Sequence, residues 1–309
     1  MAKYVIKRLL LLIPTVFVVI FIIFTIMNIT PGDPGRLILG PTATQEAVDA
    51  FNEKFGVNDP FFTRFFNYCG GLIQGDLGTS YRSQHAVAGE IFARLPYTLT
   101  LAILSILIGS FLGISLGVLS AVKQYSVTDA VSTSISMILG AVPPFLLGMV
   151  VIYVFSYKLN LLPSGGVRQW TSYILPVMTV AVSTAAGLLR ITRAMVLETI
   201  RQDYVRTARA KGAAERRVIW KHALKNSLLP VITTLGMRFG ASLGGSVVIE
   251  KVFNIPGLGN YILTSIQGKD MPAVLSSIVV ISVMFCLVML LVDLVYAFID
   301  PRIKAKYVK

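Results

Sequence analysis

The feature that most constrains this chain is a recurrence of apolar runs, each about 20 residues long. A run of that length crosses ~30 Å of hydrocarbon as a helix rising 1.5 Å per residue. Six such runs fall at 9–27, 97–122, 131–157, 173–195, 228–248 and 276–299. Within a bilayer each backbone polar group must be satisfied inside its own segment, so runs like these predict helices. Composition points the same way. Of 309 residues, 55% are hydrophobic and 14% charged, against about 25% charged in soluble domains, and mean hydropathy is +0.73. So few charges cannot clothe a water-soluble globule, which argues against a soluble enzyme, a disordered chain or a fibre. The expected fold class is an all-α integral membrane protein of about six transmembrane helices.

The first run follows Lys3, Lys7 and Arg8, as the core of a signal peptide would. A signal core is shorter, about 7–15 residues, and closes on a small-residue cleavage site. This one closes on Asn28-Ile29-Thr30-Pro31-Gly32-Asp33-Pro34, so it reads as a retained span. Pro143-Pro144, Pro176 and Pro230 stand near the starts of later runs, where a helix tolerates proline or bends. Cys69 and Cys286, the two cysteines, provide neither a disulfide framework nor a metal cluster.

Net charge is +13, from 28 Lys+Arg and 15 Asp+Glu. The bases are distributed unevenly. Lys3, Lys7, Arg8, Lys123, Arg302, Lys304, Lys306 and Lys309 fall on the side of the termini, joined by ten bases between Arg190 and Lys225. The opposite side carries sparse bases over longer segments. The positive-inside rule therefore places both termini and the 190–225 loop in the cytoplasm.

Between the first two runs, residues 30–95 read as a small helical outer segment, a cap for something delivered from outside. Thr42-Ala43-Thr44-Gln45 and Gly56 bracket a helix over 44–55. Asp59-Pro60 reads as N-cap and N1 of a second helix reaching residue 73. Gly75-Asp76-Leu77-Gly78 is a turn, and 87–94 a third short helix leading into span two. A second outer feature, Val252-Phe253-Asn254-Ile255-Pro256-Gly257-Leu258-Gly259, is either a stiff connector between spans five and six or an outer gate element.

Within the spans, Gly109, Gly113 and Gly117 form one small-residue stripe, and Gly236, Gly240 and Gly244 another. Such stripes let helices approach closely, whether for static packing or for sliding. Gly113-Ile114-Ser115-Leu116-Gly117 matches the nucleophile-elbow pattern, but that elbow needs a strand-to-helix turn with a histidine and an acid beside it. The only histidines are His85 and His222, outside the spans, so the match is accidental. Arg238 and Asp293 are ionisable groups within spans, and Arg238 is the pathway candidate.

The segment 201–230 is the most informative. Helix is expected to continue from span four through Lys211, to stop at Gly212, and to resume over 213–224. Ala208, Ala210, Ala213 and Ala214 line this corner with small surfaces, as insertion into a partner's cleft would require. A basic loop lying on anionic lipid would need neither the glycine nor the alanines.

Arg206-Thr207-Ala208-Arg209-Ala210-Lys211-Gly212, Glu215-Arg216-Arg217, His222-Ala223-Leu224-Lys225-Asn226 and Leu228-Leu229-Pro230 resemble the EAA loop of permease subunits of binding-protein-dependent ABC importers. The resemblance is to the dipeptide, oligopeptide and nickel branch, on the side of its B-type permease. It extends through Thr30-Pro31-Gly32-Asp33-Pro34, Gly75-Asp76-Leu77-Gly78, Pro143-Pro144-Phe145, the Phe253–Gly259 run and Asp300-Pro301-Arg302. Two positions depart from the general loop pattern: Arg206 stands where it has glutamate, and Pro230 lies further from Gly212.

The resemblance implies a type I ABC importer permease fold, with 1–29 as cytoplasmic N-terminus and first span, 30–95 as external cap and 96–309 as permease core. It implies that the loop within 196–227, through Arg206, Thr207, Ala208, Ala210, Lys211, Gly212, Ala213, Glu215, Arg216 and Arg217, couples to an ATPase. Phe253, Asn254, Pro256, Gly257, Leu258 and Gly259 become outer-gate candidates. The implied partners are a second (C-type) permease, one or two cytoplasmic ABC ATPases, an extracytoplasmic binding protein and the lipid bilayer, with no nucleic acid. Residues 268–269 fail the Walker A pattern, since Asp270 follows and the upstream glycine is missing. No cofactor or metal is expected on this chain and no catalytic residue; ATP and Mg would sit on the partner ATPases. The implied location is the cytoplasmic (inner) membrane of a bacterium or archaeon. Implied cargo is a di- or oligopeptide, with a nickel chelate or glutathione as the alternative. A stand-alone secondary transporter would need charged relays or an internal repeat, and a membrane enzyme a catalytic constellation.

Overall fold

The computed structural model describes residues 2–299. Asp300-Pro301-Arg302 and the basic residues after it lie outside the described residues, as do the side chains of Lys3, Lys7, Arg8, His222 and Leu229. Helices follow in the order α1 (Ala2–Ile29), α2 (Pro34–Leu39), α3 (Gln45–Lys54), α4 (Phe61–Ile73), α5 (Val87–Val122), α6 (Val127–Ala141) and α7 (Pro144–Val151). After α7 the chain continues as π-helix over Ile152–Lys158. Then come α8 (Ile174–Ile200), α9 (Asp203–Ala210), α10 (Glu215–Arg217), α11 (Leu224–Val252), α12 (Leu258–Gln267) and α13 (Met271–Ile299). Among the described residues the β pairing is one antiparallel bridge, Thr79 to Ala86.

Among the described residues, four helices can cross a membrane by length and composition: α1, α5, α8 with the turn before it, and α13. Two bent pairs raise the count to six if each is one span. α6 and α7 meet at 100°, broken at Val142-Pro143, and α11 bends by 49° between Gly244 and Ser246. The first break follows from sequence: Pro144 cannot donate to the preceding turn, and it biases Pro143 to the extended backbone it shows, at φ −57° and ψ 135°.

The chain divides into two compact units. One contains Ala2–Thr98 with Pro256–Cys286. Its core joins Ile20, Phe24 and Met27 of α1, Phe51 of α3, Phe65 of α4, Tyr81, and Met271, Val274 and Leu275 of α13. Phe21, Phe24, Phe61 and Phe65 meet edge to face across α1 and α4, with centroids 5.0 to 6.2 Å apart, the geometry that aromatic quadrupoles favour. A second cluster sets Val87 and Ile91 of α5 against Leu258 and Ile262 of α12 and Ala273 of α13.

One of the motifs that carried the resemblance, residues 30–34, is locked to other segments of this unit. Asp33 caps α2 by accepting from the Arg36 N–H at 3.2 Å, and Asn52 Nδ2 donates to both its oxygens at 2.9 and 3.0 Å. The Asp270 carboxylate, 2% exposed, accepts from Ser80 Oγ at 2.5 Å and Tyr81 N at 3.1 Å. Lys269 donates through Nζ to the carbonyls of Thr30 and, at 2.7 Å, Gly32. Lys269 also closes α12 in the left-handed region, φ 52°, which disfavours any side chain by about 1–2 kcal/mol. Its bonds to the two carbonyls offset that strain. Burial pushes its ammonium below the usual lysine range, opposed by the Asp33 charge.

The other unit contains Leu99–Ile255 and the chain from Leu287. α8 is its centre, with 61% of an 18-residue apolar stretch buried, and α6, α7 and α11 pack on it. The stripe Gly109, Gly113, Gly117 of α5 lies directly on α8. A β-carbon at Gly113 would stand 2.8 Å from the Ala185 carbonyl, and one at Gly117 2.8 Å from that of Leu189. Only hydrogen fits between these backbones. The second stripe differs: Gly236 is pressed against Val292 of α13, at 2.8 Å from a β-carbon, but Gly244 faces open space.

Three local expectations are corrected. The N-cap of α4 is Pro60, not Asp59, and no side chain caps it. The expected short helix over 87–94 is the first part of α5, which runs unbroken past Pro96 to Val122. Between spans five and six stands a helix, α12, whose Leu258, Gly259, Ile262 and Ser265 are buried. The expected helix over 44–55 is present, with Thr44 Oγ1 accepting from the Ala47 N–H at 3.3 Å.

Candidate coupling elbow and pathway residues

The loop after α8 is a helical elbow. α8 ends at Ile200, with Arg201 as its C-cap, so helix does not continue through Lys211 as expected. α9 starts afresh at Asp203 and ends at Ala210. Gly212 adopts φ 78°. Its N–H reaches the Arg209 carbonyl at 2.9 Å, and the Ala213 N–H reaches that of Ala208 at 3.2 Å. This Schellman closure satisfies the last carbonyls of α9 and needs a left-handed residue. The expected separate helix over 213–224 begins instead at Glu215 and runs through π-helical turns at Val218–Ala223 into α11 without a stop.

An ion pair staples the corner from both sides of Gly212. Arg209 Nε meets Glu215 Oε2 at 3.0 Å, and Nη2 meets Oε1 at 2.6 Å. The Arg209 guanidinium holds the Glu215 carboxyl below the usual carboxylate range, and Glu215 raises Arg209 in return. Anchorage is apolar. Val205 and Val218 are fully buried, and Ile219 and Leu224 pack on Val118 and Ala121 of α5 and Val196 of α8. Tyr204 Oη accepts from Asn226 Nδ2 at 2.9 Å, tying α9 to α11.

Of the coupling candidates, Arg206, Thr207, Ala210, Lys211, Gly212, Glu215, Arg216 and Arg217 are exposed, while Ala208 and Ala213 are half-buried. All ten lie within this one elbow. Trp220 is 54% exposed beside Ala214, Arg216 and Arg217, around an open hollow. Sequence reasoning passed over it, although an uncovered tryptophan in a basic loop is itself a signal of a docking face.

The gate candidates separate. Phe253 is fully buried and caps α11; Asn254 takes the left-handed position, φ 51°, of a second Schellman closure. The Phe253 carbonyl accepts from the Gly166 N–H at 2.8 Å. Gly165 lets the two backbones meet, since a β-carbon there would stand 2.6 Å from the Phe253 carbonyl carbon. Gly148 of α7 lies against the Phe253 ring. Pro256 is exposed, Gly257 is the N-cap of α12, and Leu258 and Gly259 are buried in its first turn. The Leu258 N–H donates to Thr98 Oγ1 at 2.8 Å.

Arg238, the pathway candidate, lies on α11 against α8. A β-carbon at Gly187 would stand 2.7 Å from its Cζ. The sequence reading counted Arg193 only as one of the loop's positive charges and overlooked Asp129. Asp129, 4% exposed in the first turn of α6, receives Arg193 Nε at 2.6 Å and Nη2 at 2.7 Å. Ser120 of α5 and the Tyr125 N–H, at 3.0 Å, complete its shell. The network joins α5, α6 and α8 two turns before α8 ends. Like Trp220, it had a signal: an acid at the edge of an apolar run requires a partner.

Comparison with known proteins agrees with this architecture. Residues 113–305 match the family model described as the binding-protein-dependent transport system inner membrane component, and residues 1–102 match the model of its N-terminal region. The glutathione transport system permease protein GsiC of Escherichia coli strain K12 is 42% identical over 306 residues, 99% of this chain and 100% of the relative. GsiC of Shigella dysenteriae serotype 1 matches to the same extent. Among solved structures, the MetNI methionine ABC transporter in inward-facing conformations aligns with TM-score 0.59 at 19% identity, over 68% of this chain and 96% of that one. An amino acid ABC transporter with histidines aligns with TM-score 0.54 at 17% identity, over 67% and 92%.

Proposed function

The chain belongs to the family of binding-protein-dependent transport system inner membrane components, and on that premise we propose that it imports small peptides, glutathione among them. It is a membrane-embedded permease subunit of an ABC importer, a class that works with a partner permease, ATPase subunits and a substrate-binding protein. The observation that carries the substrate reading is the likeness to glutathione permeases along the full chain, 42% over 306 residues. In the same reading the second permease is of the C type. The termini and the elbow face the cytoplasm, where ATP and Mg bind the ATPase subunits and not this chain. Residues 30–95 form the external cap that meets the binding protein.

Force then follows a physical route. The elbow, residues 206–217, seats in a cleft of the ATPase and moves as the ATPase pair closes around ATP. Its buried anchors Val205 and Val218 pass the displacement to α8 and α11. The Asp129–Arg193 pair couples α8 to α6, and the glycine seam couples it to α5, so three helices move as a block. The turn around Phe253 and Asn254 opens and closes the outer end of a pathway that Arg238 lines. This is rigid-body alternating access about a midplane site.

The test is uptake in proteoliposomes holding both permeases and the ATPases, with loaded binding protein inside the assay. Wild type takes up labelled glutathione or dipeptide only with ATP. Gly212→Pro, which cannot adopt φ 78°, inserts normally but hydrolyses ATP without uptake. ATP-dependent uptake at wild-type rate by that variant would refute the coupling role of the elbow. Uptake by this chain without any ATPase would favour the stand-alone transporter instead.

A further inference from the structure

A cavity of about 160 Å³ opens within the unit of Ala2–Thr98 and Pro256–Cys286. Phe24 of α1, Phe55 at the end of α3, Tyr81 and Leu275 of α13 supply its apolar lining. Phe24, Tyr81 and Leu275 are buried, and the Phe55 and Tyr81 rings lie 5.0 Å apart between centroids. A cavity of this size and lining holds one benzene-sized group.

The rest of the wall is charged. Asp59 and Arg64 both line the cavity, yet among the described residues they form no ion pair within 4.0 Å. Each is placed by other neighbours. The Asp59 carboxylate lies over Gly56, where a β-carbon would stand 2.8 Å from Oδ2. Gly56 also takes φ 61°, a conformation glycine adopts without strain. Arg64 donates from Nη1 to Asn28 Oδ1 at 3.0 Å and from Nη2 to Met271 Sδ at 3.5 Å. Both partners are neutral, so the cation is uncompensated and has further N–H donors to offer. Asn67, also on the wall, is exposed like Asp59. Among the described residues neither of these two side chains has a hydrogen-bond partner. An apolar hollow with a few convergent polar groups has the make-up of a small-molecule site. An acid and a guanidinium that share it without meeting suit a molecule carrying both opposite charges.

We propose that this cavity binds a free α-amino acid with an apolar side chain. Its ammonium pairs with Asp59, and its carboxylate takes the planar fork of Arg64 and the Asn67 amide. Its side chain fills the lining between Phe24, Phe55 and Tyr81. Occupancy ties the end of α3 and the first turns of α4 to α1 and α13, since each supplies part of the wall. The site is independent of which cargo the importer carries.

The experiment measures equilibrium binding of labelled L-phenylalanine to the assembled importer in nanodiscs of phosphatidylcholine and phosphatidylglycerol, without binding protein. Competitors are N-acetyl-phenylalanine, which lacks the ammonium, phenylalaninamide, which lacks the carboxylate, and glycine, which lacks the ring. Each should compete about tenfold or more weaker than phenylalanine, the value of one charge-assisted contact or one buried ring. The variants should then separate the two charges. Asp59→Asn removes the penalty for N-acetylation and keeps that for amidation; Arg64→Gln does the reverse. A merely structural role for either residue would weaken all ligands alike. If Arg64→Gln does not assemble, Asp59→Asn, at an exposed position, still gives its half of the comparison. No binding to wild type, equal competition by the four ligands, or unchanged penalties in the variants overturns the proposal. One arm adds phosphatidylethanolamine, whose headgroup also joins an ammonium to an anion. Phenylalanine should bind there unchanged; its loss would assign the cavity to lipid and overturn the proposal.

Discussion

Asp129 and Arg193 show how much one buried pair can determine. Asp129's side chain is 5% exposed and Arg193's 26%, so removing one charge leaves the other poorly solvated. Asp129→Asn should destabilise the complex by about 3 kcal/mol, the lower end for a broken buried pair because Arg193 retains some solvent. Asp129→Asn combined with Arg193→Gln leaves two neutral groups able to bond, and should recover over half of that loss. Thermal unfolding of the detergent-held complex measures both; equal losses in single and double variants would show that the pair does not act as a unit. Glu215 is a milder case, since it is exposed. Its carboxyl is lowered in the folded state by Arg209, so the staple contributes fully above the ordinary value of 4.5 and is lost as pH falls through the lowered one. Amide exchange at Gly212 and Ala213, corrected for the intrinsic pH dependence, should therefore rise on acidification below about pH 4.5 in wild type. In Glu215→Gln it should be raised at neutral pH already and show little further change. Sequence signals that Asp129 needs a partner but identifies the partner in neither pair, because residues 64 and 6 positions apart meet only through tertiary packing and a turn.

At the scale of elements, the apolar period and its punctuation were readable. The six runs, the cap of Thr44, and the stops at Gly56, Gly75 and Gly212 follow from rules that act within one turn. What escaped reading were continuities and interruptions. Pro96 sits in the first turns of an amphipathic stretch whose buried Val87 and Ile91 continue the face of α5, so packing overrides the break. Helix α12 was concealed by Pro256, Gly257 and Gly259, which resemble loop residues until Gly257 is seen as an N-cap. The two glycine stripes look alike in sequence and behave differently, since their neighbours decide. Gly113→Ala would place a methyl group 2.7 Å from Leu188 Cβ and 2.8 Å from the Ala185 carbonyl. It should cost about 1–3 kcal/mol by overpacking and lower the yield of assembled complex. Gly89→Ala, on the same helix with nothing within 4 Å, should be neutral or stabilise by about 0.5 kcal/mol. Equal yields for the two would contradict the seam.

Across the whole molecule, the sequence motifs divide by task. Thr30-Pro31-Gly32-Asp33-Pro34, Gly75-Asp76-Leu77-Gly78 and the Lys269-Asp270 pair bind one unit's segments to one another: the Thr30, Gly32 and Leu77 carbonyls accept from Lys269 and Ser276, and the buried Asp270 carboxylate accepts from Ser80. The elbow does the reverse: its interior is anchored and its rim is left uncovered, with Trp220, Arg216 and Arg217 around an open hollow. The proposed coupling role rests on that contrast between an anchored interior and an uncovered basic, alanine-rich rim. The most direct test replaces Cys69 and Cys286 by serine, places single cysteines at Ala210, Ala213 or Gly89, the last well removed in sequence, and applies a short thiol cross-linker to the assembled importer paired with single-cysteine ATPases. Cysteines at 210 and 213 should link to the ATPase in high yield and stop uptake while the position 89 control stays unlinked. If the elbow cysteines link to no ATPase subunit and transport continues, the elbow receives no force and the account of coupling is wrong.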